Sequence, residues 1–157
     1  MKERYRELLL TEDDIIDILQ QYKPSLSKIF QKPVILSVDE EGDIHVSTSV
    51  GQMSLEPIVN TSLKVVSVEE LKRPVAIVKL VEEWWEVLTP QQRKAIFYRY
   101  VDHSNTQYKL DVDDFRIKYN AKSEREAARL LNVSKTTLRE IVDRALKKIV
   151  RWINEVQ

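Results

Sequence analysis

Polar and basic side chains cluster at the start of one predicted helix near the C-terminal end of the sequence. Ser134 has the short hydroxyl side chain that favours the position before a helix, and the apolar period that follows predicts a helix from Lys135. Its first two turns carry five polar or charged residues, which are Lys135, Thr136, Thr137, Arg139 and Glu140. Lys and Arg can donate hydrogen bonds to the major-groove acceptors of guanine, and Thr can bond a base edge or cover the methyl group of thymine. We therefore expect these five residues to contact DNA bases.

A shorter helix is predicted immediately before this one, over residues 124–131. Ser123 and Glu126 have the spacing of a capping box, in which each side chain bonds the backbone N–H of the other residue. Asn132 follows, and Asn is one of the few residues other than Gly that tolerate the left-handed conformation of a helix end. A turn of three residues, 132–134, then joins the two helices.

The apolar residues of this segment have the spacing expected of two helices that cross closely. Ala127 and Ala128 are small enough to let the helices approach each other. Larger apolar residues are spaced to fill the wedge between the helices, namely Leu131, Val133, Leu138 and Ile141. The pattern predicts a helix-turn-helix over residues 123–149, with an ordinary helical hairpin as the alternative.

Basic residues are concentrated on the same segment. Residues 116–151 contain 11 Lys and Arg but only 4 Asp and Glu. In protein–DNA complexes, contacts to phosphates fix the position of the helix that reads the bases. We expect such contacts from five residues, which are Lys122, Arg125, Arg129, Ser134 and Arg144. The alternative for each single residue is an ordinary solvated side chain.

The composition excludes several other classes of site. The chain has 157 residues and no cysteine, so it has no disulfide framework, no Cys-ligated metal and no thiol nucleophile. Only 2 residues are Gly, which leaves no room for a glycine-rich phosphate loop. No apolar run is long enough to span a membrane, and the charged N-terminus lacks a signal-peptide core. We expect a cytoplasmic protein with no membrane partner.

The formal net charge of zero hides two halves of opposite sign. Residues 1–87 contain 10 Lys and Arg and 16 Asp and Glu, whereas residues 88–157 contain 15 and 9. Such asymmetry is typical of a module that meets a polyanion joined to one that does not.

The first part, residues 1–70, is predicted to be a small α+β module. A helix is expected over residues 12–22, because Thr11 and Asp14 mark its start and Pro24 is expected to stop it. Two β-rich runs flank a turn cluster and predict a hairpin, with a third strand expected after it; these three spans are 34–38, 44–50 and 63–68.

The second part, residues 75–157, is predicted to be a helical domain that binds DNA. Three helices are expected before the helix-turn-helix, over residues 75–88, 90–101 and, with Asp111 as its cap, 111–118. Pro74 sets the start of the first because proline interrupts a helix. Thr89 and Gln92 form a capping box at the start of the second. The predicted fold class is thus mainly α, with a small β-hairpin in its N-terminal module.

Residues 88–149 resemble region four of bacterial sigma factors. The resemblance rests on the opening helix, Leu88-Thr89-Pro90-Gln91-Gln92-Arg93 followed by Ala95-Ile96-Phe97-Tyr98-Arg99-Tyr100, and on the run from Glu126 to Lys148. Phage regulators of the ArpU and RinA type share this module and are of similar size. The resemblance implies a sigma-type helix-turn-helix whose second helix faces DNA bases with Lys135, Thr136, Thr137 and Arg139. It does not imply the usual promoter sequence, because Lys135, Thr136 and Thr137 replace a stretch rich in arginine and glutamate.

The remaining features give weaker signals. Trp84 and Trp85 are predicted to be buried between the two parts rather than to stack on single-stranded nucleic acid. His45 and His103 have no local catalytic partner, and Asp111, Asp113 and Asp114 lack the rest of a calcium loop. We therefore expect a protein that is not an enzyme, with no metal and no cofactor.

The last helix is predicted to carry a long apolar stripe. Its members step by three and four residues, namely Leu138, Val142, Ala145, Ile149, Trp152 and Val156. We expect the stripe to pack within the chain as far as residue 146. Beyond Ile149 it has the spacing of a short seam for a homodimer.

The favoured interpretation is a sequence-specific regulator of transcription that binds double-stranded DNA, and its resemblance to phage regulators points to phage or prophage late genes. The acidic first part would bind a partner, such as RNA polymerase or a second copy of the chain. Two alternatives stay open, which are the DNA-recognition subunit of a phage packaging machine, like a small terminase subunit, and a sigma-like adaptor that binds RNA polymerase without DNA.

Overall fold

The computed structural model describes residues 10–102, 109–110, 117–118 and 122–155. The described chain is mainly helical and contains one small three-stranded antiparallel sheet, as the predicted fold class requires. The helices are α1 (Glu12–Gln20), α2 (Tyr22–Phe30), α3 (Glu56–Val59), α4 (Glu69–Glu86), α5 (Pro90–Ile96), α6 (Glu124–Leu131) and α7 (Lys135–Glu155). The strands are β1 (Ile35–Val38), β2 (Ile44–Thr48), β3 (Gly51–Met53) and the isolated pair β4 (Lys109–Leu110) and β5 (Ile117–Lys118).

The start of α1 is confirmed, whereas its predicted end is wrong. Thr11 and Asp14 form the expected capping box, but α1 ends at Gln20 and α2 begins at Tyr22. Pro24 lies in the first turn of α2 and does not stop a helix there. Backbone N–H groups of a first turn have no partner within the helix, so a proline costs no hydrogen bond at that position.

The predicted hairpin is confirmed, and the predicted third strand is wrong. β1 and β2 pair antiparallel, with Val38 opposite Ile44. The third strand is β3, which follows β2 almost at once because Gly51, at φ +119°, lets the chain reverse within a few residues. Residues 63–65, inside the expected strand, instead form a 3₁₀ turn that the side chain of Ser62 caps.

Helix α4 begins earlier than predicted and runs through Pro74. The proline lies only one turn after the start of the helix, where it removes the single hydrogen bond to the carbonyl of Glu70. Its ring is buried, and the helix continues for 12 residues beyond it to Glu86. The prediction that Pro74 excludes the preceding residues from the helix is therefore wrong.

Helix α5 begins as predicted, with Thr89 and Gln92 forming a capping box and Pro90 in the first turn. The second half of the expected helix, Phe97–Val101, is a π-helical turn. Residues 117–118 of the helix expected at 111–118 form β5, paired with β4, so that prediction is wrong for these two residues. Residues 111–116 lie outside the described residues.

The hairpin turn is latched to the junction of α4 and α5. The indole N–H of Trp85 donates to the carbonyl of Gly42 at 2.6 Å. Arg93 donates from Nε to the carbonyl of Trp85 at 2.8 Å and from Nη1 to Asp43 Oδ1 at 2.9 Å. Trp84 is also buried, so both indoles have the buried position that the sequence predicted.

One cluster of buried apolar side chains connects the elements before residue 70 with the helices that follow. Helix α1 packs against the π turn and against α7. Ile149 and Ile153 of α7 are buried within the single chain, so Ile153, in the segment beyond Ile149 that has the spacing of a dimer seam, already packs in the core. Trp152 is half-buried, and Val156 lies outside the described residues. No helix in the described part of the chain is long and apolar enough to cross a membrane.

Candidate nucleic-acid interface

Helices α6 and α7 are joined by the predicted three-residue turn. The Ser123 side chain accepts a hydrogen bond from the N–H of Glu126, which is half of the expected capping box. Asn132 has φ 60° and ψ 45°, the left-handed conformation predicted for it. The N–H of Val133 then donates to the carbonyl of Ala128 at 3.0 Å, which closes the end of α6. The turn therefore satisfies carbonyls that the helix end would otherwise leave without donors.

Ser134 caps α7 with its side chain and its carbonyl. Its Oγ accepts from the N–H of Thr137 at 3.1 Å and donates to the Thr137 hydroxyl at 2.9 Å. Its carbonyl accepts from the N–H of Leu138 at 2.9 Å. Ser134 was predicted to contact a phosphate and Thr137 a base, and in this structure their hydroxyls bond each other. Thr137 is also half-buried.

The wedge between the two helices is filled as predicted. Ala127, Ala128, Leu138 and Ile141 are buried, and Leu131 and Val133 are partly buried against the same core. Helix α5 packs on both α6 and α7, which fixes the pair from behind. The buried face of α7 is thus committed to packing, and its other face is left to solvent.

Four of the five residues predicted to contact bases are exposed on the first two turns of α7, namely Lys135, Thr136, Arg139 and Glu140. An exposed, rigidly held helix end of this kind can insert into the major groove, which is wide enough to admit a helix. The geometry brings these four residues together on adjacent turns. It places Thr137 beside them, turned toward the cap.

Arg139 is paired across the two helices with a residue that the sequence analysis did not single out. Its Nε donates to Glu124 Oε2 at 2.5 Å, and its Nη2 approaches Oε1 at 3.4 Å. The guanidinium bond lowers the pKa of Glu124, and the carboxylate raises the pKa of Arg139. The side chains are 30% and 57% exposed, so water weakens this ion pair and a stronger acceptor can displace the carboxylate.

The four other residues predicted to contact phosphates, besides Ser134, divide into two groups. Arg125, Arg129 and Arg144 are exposed around the helix pair and can reach a phosphate backbone. Lys122 is placed differently, because its ammonium donates to the carbonyl and the carboxylate of Asp102, both at 2.9 Å. With a side chain only 10% exposed, Lys122 joins Asp102, the residue after the π turn, to the start of α6. Its predicted phosphate contact therefore requires that it first release Asp102.

Arg99 and Tyr100 are further neighbours of this surface that sequence reasoning missed. The Arg99 Nη1 donates to the carbonyl of Lys122 at 3.0 Å, and its guanidinium lies 4.9 Å from the centre of the Tyr100 ring. Together they line a groove that also includes Glu124 and Arg139. Arg99 and Lys122 are 23 residues apart in sequence, so no local pattern could have indicated their contact.

The described residues show little that resembles a catalytic or metal site. They include no group of three or more His, Asp or Glu side chains placed to hold a metal ion. His45 bonds Asp39 at 2.8 Å on the exposed side of the hairpin, which lowers the pKa of Asp39. His103, Asp111, Asp113 and Asp114 lie outside the described residues. Comparison of the chain with protein-family models, with curated proteins and with solved structures found no match.

Proposed function

We propose that this protein binds double-stranded DNA at specific sequences and regulates transcription. The observation that carries the proposal is the start of α7, where a capped and rigidly packed helix presents Lys135, Thr136, Arg139 and Glu140 to solvent. In this proposal, α6 and α7 act as a helix-turn-helix and α7 enters the major groove. The sequence resemblance to sigma region four and to phage regulators supports phage or prophage genes as targets.

The proposed contacts divide between bases and phosphates. Lys135 and Thr136 read base edges directly, because both side chains are exposed on the first turn of α7. Arg139 exchanges the Glu124 carboxylate for guanine acceptors when DNA binds. Arg125, Arg129 and Arg144 hold the phosphate backbone and fix the position of α7.

The test compares base-contacting and phosphate-contacting variants on one duplex that the wild-type protein has enriched. Lys135→Ala and Thr136→Ala should each weaken binding by about 1–3 kcal/mol and relax selectivity at one base position. Arg125→Ala should weaken binding to all sequences alike and reduce the salt slope by about 1. Fluorescence anisotropy at several salt concentrations measures both effects.

A matched control removes one positive charge away from the proposed interface. Lys28 is exposed on α2, and Lys28→Ala should leave affinity and salt slope unchanged. If Lys28→Ala weakened binding as much as Lys135→Ala, the contact would be general charge attraction and direct readout by α7 would be contradicted.

An adaptor that binds RNA polymerase is the second candidate, and one feature of α7 favours it. Asp143 and Glu140 are exposed on the same helix as the proposed reading residues, and Arg139 is already paired with a carboxylate. A face of mixed charge also suits a protein partner. Retention of purified bacterial RNA polymerase on the immobilised protein without DNA, unchanged by Lys135→Ala, would favour this candidate.

A further inference from the structure

A cavity of about 440 Å³ lies between the small sheet, α3 and α4, away from the α6–α7 surface. Its volume is within the range of small-molecule sites, which are typically apolar clefts with a few polar groups. Its apolar walls are formed by Ile44, Val46, Met53, Leu55, Val59 and Trp85. All its lining residues belong to the described part of the chain.

Glu82 of α4 lines this cavity and has an unusual environment for a carboxylate. The fully buried Tyr22 donates its hydroxyl to Glu82 Oε1 at 2.6 Å. Burial raises the pKa of Glu82, the hydrogen bond from Tyr22 lowers it, and the nearby Asp43 and Glu86 raise it. Tyr22 supplies a hydrogen bond but no positive charge, so the carboxylate faces the cavity with its charge only partly compensated.

The other charged residues of the cavity wall do not compensate Glu82. Asp43 and Glu56 are carboxylates, and the lining contains no Lys or Arg. Arg93 lowers the pKa of Glu82 and so offsets its charge in part, although its guanidinium bonds Asp43 and the carbonyl of Trp85. The cavity therefore combines polar and apolar walls, and carboxylates outnumber its other titratable group, His45.

From this combination we propose that the cavity binds a small organic cation, an ammonium or guanidinium group on a short apolar stem. The charged group pairs with Glu82, and the stem packs against the apolar wall that includes Val59 and Trp85. Such a pair is favourable because a hydrogen bond to a partly buried carboxylate is stronger than one in water. An anion would meet negative charge that is only partly compensated, and a neutral ligand would add no charged partner for Glu82.

The experiment titrates 2-phenylethylammonium into the full-length protein and follows backbone amide shifts and heats of binding. The uncharged 2-phenylethanol, which has the same stem, is the matched ligand. We expect shifts confined to β2, β3, α3 and the middle of α4, and an affinity for the cation at least about tenfold above that for the alcohol. Equal affinity for the two ligands, or no shift with either 2-phenylethylammonium or the guanidinium compound agmatine, would overturn the proposal.

Variants on α4 separate the role of Glu82 from general electrostatic attraction. Glu82→Gln keeps the shape and can still accept the Tyr22 hydrogen bond, and it should weaken cation binding about tenfold or more. Glu86→Gln removes an exposed carboxylate from the same helix and should change the affinity less than about twofold. Equal effects of the two variants would contradict a specific pair with Glu82.

Two further readouts keep the result interpretable. Val59→Phe narrows the cavity without touching a charge and should abolish binding while the fold, followed by circular dichroism, stays intact. DNA affinity should be the same for wild type and Glu82→Gln in the absence of cation. Absence of DNA binding by the wild-type protein would count against the proposed function and leave the cavity proposal standing, whereas absence of cation binding by the wild-type protein would count against the cavity proposal alone.

Discussion

At the scale of single residues, Gly42 shows how one position fixes the hairpin against the helices. Its φ is +85°, and a Cβ built on it would lie 2.5 Å from Cβ of Arg93 and 3.0 Å from the carbonyl oxygen of Pro90. Neither neighbour can move freely, because Arg93 is held by Trp85 and Asp43. The close approach lets the Trp85 indole reach the Gly42 carbonyl.

Gly42→Ala should therefore destabilise the protein more than the equivalent change at Gly51. Gly51 also has a positive φ, but a Cβ there would meet nothing within 4 Å. The Gly51→Ala variant should cost about 1–3 kcal/mol of backbone strain. Gly42→Ala should cost that strain plus about 1–3 kcal/mol of overpacking. Urea unfolding of both variants measures the difference in free energy of unfolding. Equal losses of stability would show that the close approach of Gly42 to Arg93 is unimportant.

At the scale of elements, α1 packs beside the C-terminal end of α7, for which the sequence analysis predicted no partner within the chain. Thr11 and Glu12 line a groove with Val150, Arg151 and nearby residues of α7, so the two helix ends lie side by side. Ile153 is 2% exposed in the single chain. The C-terminal end of α7 thus contributes to the core of the single chain.

Ile153→Ala should accordingly lower the free energy of unfolding by about 2–5 kcal/mol, as expected for a cavity in a core. The loss should be the same at low and high protein concentration, because the packing is within one chain. Chemical unfolding at two concentrations tests this. A loss of stability that depended on protein concentration would contradict packing within one chain and would support the homodimer predicted from the sequence.

The elements differ in how far the sequence predicted them. Caps and turns depend on neighbouring residues, so Thr11, Thr89, Asn132 and Ser134 were assigned from sequence alone. The continuation of α4 through Pro74 was not, because buried packing of the ring outweighs a lost hydrogen bond and only tertiary structure supplies that packing.

The candidate interface was also predicted only where it depends on local sequence. The wedge residues and the exposed end of α7 follow from local periodicity, and the structure has both. The partners of Arg139 and Lys122 are 15 and 20 residues away in sequence, and no helix period links them. Long side chains on a surface have many possible partners, so their pairing requires the fold.

At the scale of the whole molecule, the opposite charges of the two halves agree with the two proposed roles, in which the basic part binds DNA and the acidic part binds a cation. The acidic residues before position 88 include Glu82, Asp43 and Glu56 around the cavity, and the basic excess after it surrounds α6 and α7. Because DNA is a polyanion, the basic side should face it and the acidic side should be turned away. The two proposed sites therefore lie on parts of the molecule with opposite electrostatic character.

The most direct test of the account is selection of bound duplexes from a randomised DNA pool by the purified full-length protein. The selection is run at about 150 mM salt, which suppresses loose attraction to phosphates. We predict enrichment of one short motif, and a repeated half-site if the protein binds as a dimer. Failure of the folded protein to enrich any motif would contradict sequence-specific readout by α7.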